Sequence, residues 1–159
     1  MHRDKPISDS HEMYLKALYE VRGEHDVARV RDLASTLGVS PATVSSVLKK
    51  LENLRLVEHE RYGGVTLTDT GARVAECVID RFETLRDVLV EVFGVTSDVA
   101  EVDACEMEHG VSPTTVRHMQ ALLKNVRGGR IQLPKRRAKR DQACPECEAI
   151  GICRAAQLE

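Results

Sequence analysis

Tryptophan is absent from this 159-residue chain and aromatic residues make up only 3% of it, too few for the stacked platforms that hold single-stranded nucleic acid. No apolar run approaches the roughly 18–20 residues a membrane-spanning helix requires. The opening Met1-His2-Arg3-Asp4-Lys5 lacks a secretory pattern, so a cytoplasmic protein is expected. Five cysteines, an odd number, fit a reducing compartment better than a disulfide framework. Catalytic signatures are missing too. Cys105 and His109 are spaced as a nucleophile and base on one helix, but no orienting third group or Gly-rich oxyanion loop accompanies them, and an enzyme is not expected.

What the chain does have is a globular composition, 42% hydrophobic and 30% charged, sufficient for one compact domain or two small ones. Its net charge of −2 conceals a strong asymmetry. Residues 1–73 carry 11 Lys/Arg against 11 Asp/Glu, residues 74–123 carry 3 against 10, and residues 124–159 carry 9 against 4. A balanced head, an acidic middle and a basic tail point to three different jobs. The middle attracts cations; the tail either attracts nucleic acid or stays solvated.

In the head, residues 9–22 read as an amphipathic helix behind Ser8, Asp9 and Ser10 as candidate N-caps, with Gly23 ending it. The apolar stretch Val27-Ala28-Arg29-Val30 leads to a second helix over about 31–37, burying Leu33, Ala34 and Leu37. In Leu37-Gly38-Val39-Ser40-Pro41, Gly38 suits a left-handed stop, Ser40 an N-cap and Pro41 a first helical position. A third helix follows over roughly 41–54, burying Val44, Val47, Leu48, Leu51 and Leu54. Two helices joined by a tight Gly-containing turn form a helix-turn-helix. Leu56–Tyr62 then alternates as a strand, Gly63-Gly64 is a turn, and Val65-Thr66-Leu67 is the returning strand. A hairpin directly after a recognition helix is the wing of a winged helix, and the combination points to double-stranded DNA.

On the recognition helix, Ser40, Ala42, Thr43 and Ser46 lie off the buried stripe near the N-terminus. Their hydroxyls suit phosphates or base edges, and the Ala42 methyl suits thymine. No Arg or Asn stands there for a bidentate base contact, so DNA shape should carry much of the specificity. Lys49, Lys50, Arg55 and Arg61 are candidate phosphate contacts.

From Thr68-Asp69-Thr70-Gly71 a long helix is expected to about Phe93, with Val74, Val78, Phe82, Leu85, Leu89 and Val92 as its stripe. A helix over 97–109 capped by Ser97 and another opened by Ser112-Pro113 follow. Together they carry more apolar surface than one small helical layer hides, which points to a homodimer reading two half-sites. In the acidic middle, Cys105, Glu108 and His109 stand at i, i+3 and i+4, placing a thiolate, a carboxylate and an imidazole on one helical face. All three ligate first-row metals; on periodicity alone Cys105 serves equally as a small core residue. The histidines His2, His11, His25, His59 and His118 read as surface residues.

The segment Ser10-His11-Glu12-Met13-Tyr14-Leu15-Lys16-Ala17-Leu18-Tyr19-Glu20 resembles the opening helix of the DtxR/MntR family of metal-dependent repressors. So do Ser40-Pro41-Ala42-Thr43-Val44-Ser45, the wing ending Val65-Thr66-Leu67-Thr68-Asp69-Thr70-Gly71, and Ala104-Cys105-Glu106-Met107-Glu108-His109. The resemblance covers about residues 9–125. It implies a dimeric repressor of metal-uptake genes, activated by a divalent metal held by Met13, Cys105, Glu108 and His109. The manganese-sensing branch has Asp and Glu where this chain has Met13 and Cys105. These softer donors disfavour Mn(II) and suit Fe(II), with Co(II), Ni(II) and Zn(II) as substitutes. A second family metal site maps onto Phe82, Arg86 and Glu101. Phe82 cannot ligate and Arg86 repels a cation, so the second site is expected to be lost, with either one ion sufficing or an Arg86–Glu101 salt bridge replacing the other.

The expected architecture is mainly α. A winged helix-turn-helix covers 1–73, an all-helical metal-binding and dimerisation domain 74–127, and a basic, Cys-rich tail 128–159, too short for the family's β-rich third domain. Lys135-Arg136-Arg137-Ala138-Lys139-Arg140 either grips phosphates or stays solvated. Cys144-Pro145-Glu146-Cys147 with Cys153 is half of a zinc site, part of an iron–sulfur site, or an unliganded or redox-active tail. The alternative function places redox or iron–sulfur sensing in these cysteines.

Overall fold

The computed structural model describes residues 7–22, 27–59 and 64–133. In chain order it forms α1 (Asp9–Val21), β1 (Val27–Arg29), α2 (Val30–Leu37), α3 (Pro41–Asn53), β2 (Val57–His59), β3 (Gly64–Leu67), α4 (Asp69–Asp87), a π-helical turn (Val88–Val92), α5 (Ser97–Met107) and α6 (Pro113–Arg127). The architecture is mainly α with a small antiparallel sheet, as expected. No helix among the described residues is long and apolar enough to cross a membrane.

Local chemistry sets most boundaries. Ser8 caps α1 through a reciprocal box: its hydroxyl accepts from the His11 N–H, and the His11 ring accepts from the Ser8 N–H. His11 is therefore a half-buried capping residue and no bystander on the surface. Ser40, Thr68 and Ser112 each accept the N–H three residues on, satisfying amides that have no intrahelical partner. Gly38 ends α2 at φ +63°, the left-handed cap that only glycine adopts without strain.

Several expectations are corrected. Within the stretch 27–30, Val27–Arg29 form a strand: β1 pairs with β3, giving a sheet ordered β1-β3-β2. Three residues are too few to show alternation, and the free edge of β3 is what recruits them. Leu54 is 43% exposed: it is the C-cap beyond the last residue of α3, and the chain turns at Arg55, φ +56°. The helix expected to reach Phe93 is regular only to Asp87 and then widens into the π turn. The cap of α5 is Thr96, whose side chain accepts no helix N–H.

Two apolar clusters form the interior. The first joins Leu15 and Leu18 of α1, Leu33 of α2, Val44, Leu48 and Leu51 of α3, and Val57 and Val65 of the sheet. Each buried leucine contributes about 1.5–3 kcal/mol relative to exposure. The second joins Leu85 and Leu89 to Ala100 and Ala104. Between them, α4 starts almost in contact with the entry to β2: a Cβ on Gly71 would stand 1.9 Å from the Leu56 carbonyl oxygen. That approach aims the far half of α4, and α5 with it, back at α1.

Candidate metal centre and nucleic-acid face

Where α1, α4 and the end of α5 meet, two buried carboxylates face one imidazole. Glu12 and Glu108 are 8% and 2% exposed. Burying a carboxylate is costly unless it is paired and hydrogen-bonded, and both are. Glu12 Oε2 accepts from Arg81 Nη2 of α4 at 2.7 Å and lies 2.9 Å from His109 Nδ1. Glu108 Oε2 accepts from Lys16 Nζ of α1 at 3.4 Å, while its Oε1 lies 3.5 Å from His109 Nε2. The Lys16 ammonium also sits 3.8 Å above the Phe82 ring centroid, a cation–π contact.

α5 ends at Met107, so Glu108 and His109 stand on its terminal turn and project across to α1. Of the four candidate ligands, Glu108 and His109 are thus at the centre of the junction. Met13 is 41% exposed and Cys105 is also exposed. Composition of the site differs from the motif in a second way: donor atoms of Asp9, Glu12 and His109 all lie within 4.8 Å of one another. Asp9, Glu12 and Lys16 follow helical spacing on α1 and were readable as one face. Arg81 had no local signal, because its partner lies 69 residues away.

The donors suit a divalent ion. Two ligands each about 2.1 Å from one ion stand about 3–3.5 Å apart, which matches Glu108 Oε1 and His109 Nε2. The nearby Nδ1 bond to Glu12 is the outer contact that orients a ligating histidine. At the positions expected for a second ion, Phe82 offers no donor atom and its ring instead lies under the Lys16 ammonium. Arg86 bonds to its neighbour Asp87 at 2.9 Å; of the two alternatives, the Arg86–Glu101 bridge is not formed among the described residues.

On the opposite face of the first cluster, Ala42, Thr43, Ser46, Lys49 and Lys50 are exposed along α3. Ser40 is exposed as well, but its hydroxyl is engaged as the cap, 2.8 Å from Thr43 Oγ1. Arg61 falls outside the described residues, as do Cys144, Cys147, Cys153 and the 135–140 basic run.

The iron dependent repressor N-terminal DNA binding domain matches residues 6–65, and the iron dependent repressor metal binding and dimerisation domain matches residues 68–128. The chain belongs to the DtxR/MntR family of metal-dependent repressors. That family consists of DNA-binding regulators, not enzymes. Escherichia coli MntR, a transcriptional regulator, is 38% identical over 115 residues, covering 72% of this chain and 71% of the relative. An uncharacterised HTH-type transcriptional regulator of Methanocaldococcus jannaschii is 30% identical over 119 residues, covering 74% and 95%. Among solved structures, a manganese-dependent transcriptional repressor in complex with manganese superposes with a TM-score of 0.65 at 33% identity, covering 72% of this chain. This DtxR/MntR member spans 52% of that solved chain.

Proposed function

We propose that this chain is a homodimeric, metal-activated repressor whose α3 reads double-stranded operator DNA and whose ion joins α1 to the end of α5. Residues 1–73 bind DNA, and 74–127 hold the ion and dimerise. The observation that carries this reading is the docking of Glu108 and His109 onto α1 through partners 92 and 97 residues away in sequence. An ion held there ties the dimerising helices to the DNA-binding unit and narrows the spread of distances between the two recognition helices. Metal and operator then strengthen each other's binding reciprocally.

Met13, Cys105, Glu108 and His109 are the proposed ligands. Their sulfur donors favour Fe(II) over Mn(II), with Co(II), Ni(II) and Zn(II) as substitutes, and control of metal-uptake genes is the matching task. A second reading is favoured by the closeness of Asp9, Glu12 and His109: two hard carboxylates with one imidazole and no sulfur, which suits Mn(II) better than the sulfur set does. Operator retention titrated anaerobically with Fe(II), Mn(II), Co(II) and Zn(II) tests the proposal. Metal-dependent retention that disappears in His109→Ala supports it, and equal retention with and without metal refutes it.

A further inference from the structure

Glu108 is the most deeply buried charged group of the described residues, and its two oxygens do different things. Oε1 faces His109 Nε2 at 3.5 Å, whereas Oε2 is capped by the Lys16 ammonium at 3.4 Å. Lys16 is itself mostly buried, with 17% of its side chain exposed. Its ammonium is sandwiched between that carboxylate and the Phe82 ring, 3.8 Å from the centroid. A second cationic group, the Arg86 guanidinium, stands 5.9 Å from the same centroid. A carboxylate that bridges two ions through separate oxygens needs both, and Lys16 already occupies Oε2.

We infer that Lys16 is a tethered cation that stands in place of a second metal ion, so that each subunit takes one ion at this junction. The inference rests on the proposed metal reading and adds a stoichiometry and a role for Lys16 and Phe82. The ammonium supplies one positive charge without dissociating. It neutralises Glu108 in the metal-free protein and keeps α1 on α5, and the aromatic face beneath it replaces the water a lysine otherwise keeps. Only the Oε1–His109 side is left for an exchangeable ion.

The test counts ions on the full chain by equilibrium dialysis against Mn(II) with elemental analysis; Mn(II) is used because the tail thiolates are poor ligands for it. The wild type should saturate at one Mn(II) per subunit. The double variant Lys16→Glu/Phe82→His, which puts a carboxylate and an imidazole beside Glu108 Oε2, should saturate at two. Lys16→Gln guards against a double variant that fails to fold. Without metal its unfolding midpoint should fall by about 3–8 °C, and Mn(II) should restore more of the loss than it adds to the wild type. Two ions in the wild type, or an unchanged midpoint in Lys16→Gln, overturns the tethered cation alone. If neither Mn(II) nor, in the same dialysis without oxygen, Fe(II) binds to any of the three proteins, the metal reading is overturned and the tether with it.

Discussion

Glu12 and His109 are 97 residues apart in sequence and 2.9 Å apart in space. Because the carboxylate holds Nδ1, it fixes the ring plane and leaves Nε2 turned towards Glu108 Oε1. Glu12 therefore acts as an orienting group for the histidine, and it does the same for α4 through Arg81. One buried carboxylate thus couples three helices before any ion arrives.

Removing that carboxylate should be felt twice. Glu12→Ala leaves the Arg81 guanidinium, 15% exposed, without its buried partner, and should cost about 3 kcal/mol or more in chemical denaturation. Glu12→Gln keeps the shape and one acceptor. It should lower metal affinity by about 10–100-fold, the usual effect of losing an outer-shell partner, as read by competition with a fluorescent chelator. Undiminished affinity in Glu12→Gln would separate His109 from the ion.

The two donor sets make opposite demands. If sulfur donors hold the ion, Cys105→Ser should weaken Fe(II) and Co(II) binding by at least tenfold and bleach the thiolate-to-cobalt absorption of the Co(II) form. Asp9→Asn should then be close to neutral. The reverse pattern, with Mn(II) lost in Asp9→Asn and Co(II) spectra untouched in Cys105→Ser, would assign the ion to Asp9, Glu12 and His109.

Of the described glycines, Gly71 leaves the least room for a side chain. In Gly71→Ala the new methyl would overlap the Leu56 carbonyl oxygen, 1.9 Å away, an oxygen that already accepts the Thr68 N–H at 3.1 Å. Neither backbone can yield without breaking that bond. The variant should lose about 3 kcal/mol of stability, and operator binding should fall further than stability alone predicts, since α4 is re-aimed. Thermal unfolding and gel retention on the same preparation check both.

How far the sequence carried this picture depends on the range of the cause. Ser40, Pro41, Thr68, Ser112 and Gly38 act within four residues, and they place the end of α2 and the starts of α3, α4 and α6 almost to the residue. The Cys-x-x-Glu-His spacing likewise marks the turn that carries Glu108 and His109. What was illegible is what requires a partner far along the chain. β1 exists because β3 has an open edge, Arg81 matters because Glu12 is buried opposite it, and Lys16 reads as an ordinary surface lysine until Glu108 and Phe82 are folded against it. The widening of α4 after Asp87 belongs to the same class, being set by packing against α5 and α6.

Asp87 and Arg127 tie α6 to the end of α4. Burial raises the Asp87 carboxyl, but hydrogen bonds from Arg127 and Arg86 outweigh it and hold the group below its ordinary value. Bonds to Glu91 and Asp87 in turn raise Arg127. A carboxyl depressed in the folded state stabilises above its unfolded value of about 3.9 and loses that contribution as pH falls through the folded one. Between pH 5 and pH 3 the wild type should therefore lose thermal stability more steeply than Arg127→Ala. Parallel slopes would show that the pair is electrostatically idle.

DNA binding should separate along α3 by chemistry. Lys49 and Lys50 stand on the third turn with no carboxylate bonded to them among the described residues. Replacing either with alanine should weaken all sequences about equally and lower the salt slope of log K by about 1, the signature of one lost phosphate contact. Ala42 and Thr43 are short and point outward from the first turn, where only close approach to a base edge is useful. Ala42→Gly or Thr43→Ala should leave the salt slope unchanged and relax preference at one or two operator positions, costing about 1–3 kcal/mol there. Ser40→Ala reports on the cap instead, since its hydroxyl already serves Thr43; it should cost about 1 kcal/mol of stability with sequence preference retained. If Ser40→Ala changed preference as much as Thr43→Ala at equal stability, the recognition surface would have to begin before α3.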